Sequence, residues 1–308
     1  MKAAATRLSE PAMPLSAYFT NVAREVDAAL ERLVPTAAAF PPRVHEAMRY
    51  SLFAGGKRLR PMLAMAACEA VGGARAKALG FAAALELIHT YTLIHDDLPA
   101  MDDDGLRRGR PTCHKQFDDA TAILAGDALL TLAFEVMTAR DNFPGVPAET
   151  LLTVASETAR AAGSLGTVGG QMVDIQSESA EPDMATLEYI HTHKTGKLIT
   201  ASVRGGARLG GAQDDQLAAL TGYGERIGLA FQIVDDVLGV EGDAKALGKP
   251  VGSDTKRKKM TYPAAAGIKT SRQLAADLVD GSVRSLEMFG AEAGHLRDLA
   301  QYIIARTF

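Results

Sequence analysis

Apolar residues recur at helical spacing through almost the whole of this 308-residue chain. Ala and Leu dominate, alternating β-branched runs are scarce, and no Asn-Gly separates such runs. That periodicity argues for an all-α fold. The pattern predicts helices at roughly 15–34, 41–53, 60–72, 76–97, 118–140, 147–164, 183–209, 213–238, 271–289 and 293–307. Breaks fall at "FPPR", "VGGAR", "NFPGVP" and "EGDAKALGKPVGSD". No connection is long or Ser-rich enough to be an interdomain linker, and no fixed-period repeat points to a solenoid. The expectation is a single bundle of ten or more mostly antiparallel helices over 14–308, behind a flexible tail at 1–13.

Composition narrows the function classes. The chain is 47% hydrophobic with a net charge of −4, a balance that reads as soluble and globular and gives no reason to expect nucleic acid. Cys68 and Cys113 lack metal-ligand or CxxC spacing, which points to a reduced, cytoplasmic setting. The N-terminus has no apolar core of secretory type. No run of about 18 uncharged apolar residues is present, so no membrane span is expected.

The chemistry is concentrated in "LIHDDLPAMDDDGLRRGRP", residues 93–111. Pro99 disfavours α conformation at Leu98, so Asp96 and Asp97 fall in the last turn of a helix. That is the negative end of the helix dipole, where carboxylates are unfavourable without a cation. Asp102 follows in irregular sequence and can fold back beside Asp96. An EF-hand is excluded: with Gly105 at loop position 6, positions 1 and 12 are Ala100 and Pro111. Taken alone, the stretch also reads as a solvated acidic loop. A second apolar helix, however, ends in "FQIVDDVLG", with Asp235 and Asp236 in the same situation. Two such ends facing each other would clamp Mg²⁺ through oxygen ligands, the ions' other ligands coming from phosphates.

Basic groups complete the set. "GGKRLRP" supplies Lys57, Arg58 and Arg60 after glycines that let backbone N–H groups approach an anion. "RRGRP" supplies Arg107 and Arg108, "HKTGKL" supplies Lys194, Thr195 and Lys197, and "LGK" supplies Lys249. "KRKK" at 256–259 reads as a solvated loop. Acidic metal holders, basic anion holders and an apolar slot together describe one ligand: a diphosphate with a hydrocarbon tail.

"GGKRLRP", "LIHDDLPAMDDDGLRRGRPT", "GGQMVD", "HTHKTGKLI", "FQIVDDVLG" and "LGKPVGSD" occur in this order. With them the chain resembles the trans-type prenyl diphosphate synthases, most of all the bacterial farnesyl diphosphate synthases. The resemblance spans about residues 15–305. It implies an isoprenoid synthase bundle around a central cavity, a homodimer, and Mg²⁺, three ions with substrate diphosphate bound. The implied reaction joins isopentenyl diphosphate head-to-tail to dimethylallyl or geranyl diphosphate. By resemblance Asp96, Asp102 and Asp235 are direct metal ligands, while Asp97 and Asp236 complete the motifs. Arg107, Lys194 and Lys249 hold the allylic diphosphate. Gly56, Lys57, Arg60, His89 and Arg108 form the isopentenyl diphosphate site. Thr195 and Gln232 sit beside the reacting carbons. Tyr91, with small Thr92 next to it, is the floor that limits the product to farnesyl diphosphate.

One position departs from the family pattern. Gly239 stands where the second motif usually has an Asp, four residues after Asp235 and so on the same helix face. Activity should survive, with water or Asp243 filling the gap and metal affinity affected. The alternatives are a geranylgeranyl diphosphate synthase, a class I terpene cyclase and an inactive regulatory subunit. Lys57, Arg60 and His89 argue against a cyclase, and two intact Asp pairs argue against an inactive subunit.

Overall fold

The computed structural model describes residues 13–178, 183–241 and 260–305. Lys249, Asp243, the 256–259 basic run and nearly all of the expected N-terminal tail lie outside these residues. The described chain is helical, with α1 Leu15–Leu33, α2 Pro42–Leu52, α3 Leu59–Ala70, α4 Leu79–Asp96, α5 Cys113–Gln116, α6 Asp119–Thr138, α7 Ala148–Ala162 and α8 Thr167–Gln176. Then come α9 Met184–Ile190, α10 Lys197–Gly210, α11 Asp214–Glu241, α12 Tyr262–Ala266, α13 Ile268–Arg284 and α14 Gly294–Ala305. The architecture is the all-α one the periodicity predicts.

Helix α4 explains the layout. It is apolar on every side, and Phe81 to Ile88 are all buried. A helix of that kind must be surrounded, and α3 and α6 pack along it. Helix α10 packs on α3, α11 on α10, and α13 on α11. The outer helices are amphipathic instead. In α1, Tyr18, Val22, Val26, Ala29 and Leu30 form the buried stripe, the three-and-four spacing of a surface helix. One large hydrophobic cluster runs through most of these helices, with a smaller one around Leu187, Ile233 and Tyr262.

Local chemistry sets several helix ends. Asp118 caps α6 by accepting from the Thr121 amide at 2.7 Å, and Asp183 caps α9 by accepting from the Thr186 amide at 2.9 Å. Each satisfies one orphan donor of a first turn. Gly211 closes α10 with φ +94°, the left-handed conformation glycine adopts at low cost. Helix α6 is long and apolar enough by length and composition to cross a membrane, with 44% of its apolar window buried here. It packs against α4 and α2 and leaves Ile123 and Leu124 exposed.

Three features differ from the periodicity reading. Helix α8 occupies a stretch to which the periodicity assigned no helix. Its polar residues Thr167, Gln171 and Asp174 are buried, while Val168, Met172 and Ile175 are exposed. A pattern search for an apolar inner face passes over such a helix. The expected helix at 183–209 contains a π-helical stretch, His191–Gly196. A two-residue hairpin also pairs Leu106–Arg107 with Arg110–Pro111. Its turn residues Arg108 and Gly109 have φ +53° and +75°, the positive values a tight hairpin requires.

Candidate active site

The C-terminal ends of α4 and α11 open onto one cleft of about 400 Å³. Asp96, Asp102 and Asp104 line it from one side and Asp235 and Asp236 from the other. The first motif folds as the Pro-Ala insertion dictates. Pro99 stops the helix, the Met101 amide donates to the Leu98 carbonyl at 2.9 Å, and the Asp102 amide donates to the Asp96 carbonyl at 2.8 Å. The turn brings the chain at Asp102 back against that at Asp96.

Not every aspartate of the pairs faces the cleft in the same way. Asp97 is 3% exposed and does not line it. Its carboxylate accepts twice from Arg107 Nε, at 2.9 and 2.8 Å. Burial pushes the Asp97 carboxyl up, and Arg107 opposes that shift. Asp97 therefore orients Arg107, which lines the cleft and also approaches Asp104 at 3.7 Å. Asp236 is 7% exposed, and its Oδ2 accepts from His191 Nε2 at 2.8 Å and from the Tyr262 amide at 2.9 Å. The motif carboxylates that line the cleft are thus Asp96, Asp102, Asp104, Asp235 and Asp236. All-oxygen donors on two helix ends suit Mg²⁺. Among the described residues no group of three or more His, Cys, Asp or Glu side chains is gathered closely enough to hold a metal ion.

The basic groups form two sets. Arg60, His89 and Arg108 line the same cleft. Arg60 Nε is buried without a hydrogen-bond partner in the protein. Burial lowers the Arg60 pKa against the pull of Glu86 and Asp235. A buried N–H without an acceptor is costly, and a bound anion would relieve it. His89 is pushed well below the usual histidine range, first by burial and then by Arg60, Arg108, Arg107 and Arg58. Gly56 has φ +136°, and a Cβ there would lie 2.7 Å from the Arg108 guanidinium. The glycine lets the guanidinium lie against the backbone. Lys57 is exposed, its ammonium 6.0 Å from the Tyr302 ring.

Arg58 belongs to the scaffold. It is 4% exposed, with φ +49°, and it donates to Glu86 at 2.7 Å, to Asp27 at 3.0 Å and to the Leu52 carbonyl at 3.1 Å. Removing one partner of such a buried pair costs about 3–5 kcal/mol.

The second set stands on the π-turn. Lys194 Nζ donates to Asp174 Oδ2 at 2.7 Å, and Thr195 Oγ1 donates to Gln232 Oε1 at 2.9 Å. All four line the cleft. Asp174 carries a position that motif reading had left without a role. The signal was present in "GGQMVD", since Thr167, Gln171 and Asp174 share a helix face with no apolar residue on it. Lys197 is turned to another surface, lining an outer depression with Arg160, His193 and Arg204.

Thr92 lines the cleft, whereas Tyr91 does not. Tyr91 is 6% exposed and meets His95 edge-to-face at 5.7 Å. Burial, with Asp96 adding to it, pushes its phenol up to about 12. Gly239 lies within α11, which runs on to Glu241, past the end at 238 that the periodicity gives. The two cysteines are free and buried, and burial pushes both thiols up to about 11.

Comparison with known proteins agrees with this geometry. The polyprenyl synthetase family model matches residues 41–285. A chloroplastic geranylgeranyl pyrophosphate synthase of Catharanthus roseus is 46% identical, over 97% of this chain and 83% of its own. A farnesyl diphosphate synthase of Geobacillus stearothermophilus is 42% identical, over 94% of this chain and 97% of its own. The apo structure of an FPP/GFPP synthase from Zymomonas mobilis superposes with TM-score 0.83 at 38% identity, covering 94% of this chain and 98% of that one. The acidic helix ends, the basic cleft and these matches agree, and the chain belongs to the polyprenyl synthetase family of prenyltransferases.

Proposed function

We propose that the protein condenses isopentenyl diphosphate with dimethylallyl and geranyl diphosphates, in the presence of Mg²⁺, to give farnesyl diphosphate. The observation that supports this is the joint lining of one cleft by Asp96, Asp102 and Asp235 together with Arg60, Arg107, Arg108 and Lys194.

Bound Mg²⁺ would neutralise charge building on the departing diphosphate oxygens. Asp96, Asp102 and Asp235 would hold the ions. Arg107, oriented by Asp97, and Lys194, oriented by Asp174, place fixed positive charge on the same leaving group. The allylic C–O bond breaks to release diphosphate, the isopentenyl double bond attacks the allylic carbon, and a proton passes to the released diphosphate as the new alkene forms. The Thr195 hydroxyl and the Gln232 carbonyl turn their dipoles toward the developing cation. Arg60, His89 and Arg108, beside Gly56 and near Lys57, hold the isopentenyl diphosphate. Phe231 and Leu93 provide apolar wall, which helps exclude the water that would quench the cation. By the same reading Lys249 would contact the allylic diphosphate, and the active form would be a homodimer in the cytoplasm.

Geranylgeranyl diphosphate is the second reading. It is favoured by the 46% identity to a geranylgeranyl pyrophosphate synthase and by the absence of Tyr91 from the cleft wall. Incubation with Mg²⁺, geranyl diphosphate and labelled isopentenyl diphosphate, with chain length read by chromatography, decides between them. No labelled product under any metal condition would overturn both.

A further inference from the structure

His191 opens the π-turn that carries Lys194 and Thr195, and none of the motif roles above includes it. Its Nε2 lies 2.8 Å from Asp236 Oδ2. A carboxylate only accepts, so the imidazole Nε2–H is the donor. The same oxygen accepts the Tyr262 amide at 2.9 Å, and the His191 and Tyr262 rings lie 5.3 Å apart. One carboxylate oxygen thus joins the π-turn, α11 and α12. His191 and Asp236 are 5% and 7% exposed, so the bond is little weakened by solvent.

The rest of the turn is packed at backbone distance. A Cβ on Gly170 of α8 would fall 2.2 Å from the Lys194 amide nitrogen, and one on Gly228 of α11 would fall 2.8 Å from Gly196 Cα. Side chains cannot absorb a shift there. Across the turn, Thr195 is tied to Gln232 of α11 and Lys194 to Asp174 of α8. The position of the His191 end relative to α11 is then set by the bond to Asp236, whose neighbour is Asp235.

We propose that His191 is a positioning residue: through Asp236 it locks the π-turn to the end of α11, keeping Lys194 and Thr195 in register with Asp235 across the cleft. This rests on the prenyl-transfer reading of that cleft. It also gives Asp236 a role other than metal ligation.

Three proteins test it: wild type, His191→Leu and His191→Gln, in which the Gln amide can restore a donor near Nε2. Loss of register should lower kcat of His191→Leu about tenfold to a hundredfold while both KM values move less than about threefold, the scale on which misplaced catalytic groups act. His191→Gln should recover most of that loss. Hydrogen exchange provides a readout without turnover. In His191→Leu the amides of 191–196 should exchange faster while those of the α4 core stay protected, and His191→Gln should restore protection. Wild-type kcat in His191→Leu with unchanged exchange overturns the proposal. So does a loss that His191→Gln fails to rescue, or faster exchange spread over the whole molecule. An inert wild type would refute the prenyl-transfer reading instead, and the exchange arm would still decide whether His191 locks the turn.

Discussion

The Asp102 amide donates to the Asp96 carbonyl at 2.8 Å, so the last helical carbonyl of α4 is capped by the residue that also supplies the motif's second cleft carboxylate. The helix end and the site are made by the same turn. Asp103, next in sequence, is exposed, has φ +44° and approaches Lys115 at 3.8 Å. The two neighbours should therefore respond very differently to substitution.

Asp102→Ala should lower kcat about 10²–10³-fold, the scale for losing one electrostatic stabiliser. Asp103→Asn keeps a residue type that tolerates positive φ and should leave kcat within about twofold, because exposed ion pairs contribute little. Steady-state rates at fixed Mg²⁺ measure both. Equal effects would mean that the turn does not select Asp102 for the site.

Asp174→Asn should lower kcat about tenfold to a hundredfold, since charge-assisted hydrogen bonds are worth roughly 1.5–3 kcal/mol. Lys194 would lose the charged acceptor it meets at 2.7 Å, and with it the bond that fixes its direction toward the leaving group. The melting temperature should change little by comparison. A variant with normal kcat would remove Lys194 orientation from the mechanism.

His89 gives a pH signature. Its pKa in the ligand-free fold is depressed, first by burial and then by the surrounding arginines. The unfolded chain binds the proton near pH 6.5, so the unfolded state holds more protons below that value. Stability is then fully present above about pH 6.5 and falls as pH drops below it. His89→Gln removes this dependence and should flatten the stability profile between pH 7 and 5.5. Denaturant unfolding at a series of pH values measures it, and parallel profiles for the two proteins would refute the burial argument.

Tyr91 and Thr92 separate the two product readings. Tyr91 lies five residues before Asp96, roughly 7.5 Å along the helix. If its ring closes the channel, Tyr91→Ala should lengthen the product to C20 or beyond. If Thr92, which faces the cleft, sets the limit, Thr92→Phe should shorten the product and Tyr91→Ala should leave it unchanged. Chain length of the labelled product reads both.

The helices were legible in the sequence because apolar spacing and capping residues act locally. Asp118, Asp183 and Gly211 announce helix ends wherever the chain goes. The acidic motifs were legible for a similar reason: two aspartates at the end of an apolar helix are unfavourable without a cation, whatever surrounds them. What the sequence left open depends on partners distant in the chain. Asp96 and Asp97 are identical residues one apart, yet one lines the cleft and the other holds Arg107. The helical step of about 100° turns them toward different neighbours. Helix α8 was missed because its buried face is polar, and polarity inside has a reason only once Lys194 is known to lie opposite. The π-turn has no composition of its own. Gly170 and Gly228 lie against its backbone, and Asp236, 45 residues after His191, meets its first residue. Bonds of that length in sequence are formed by packing, and only the tertiary structure decides them.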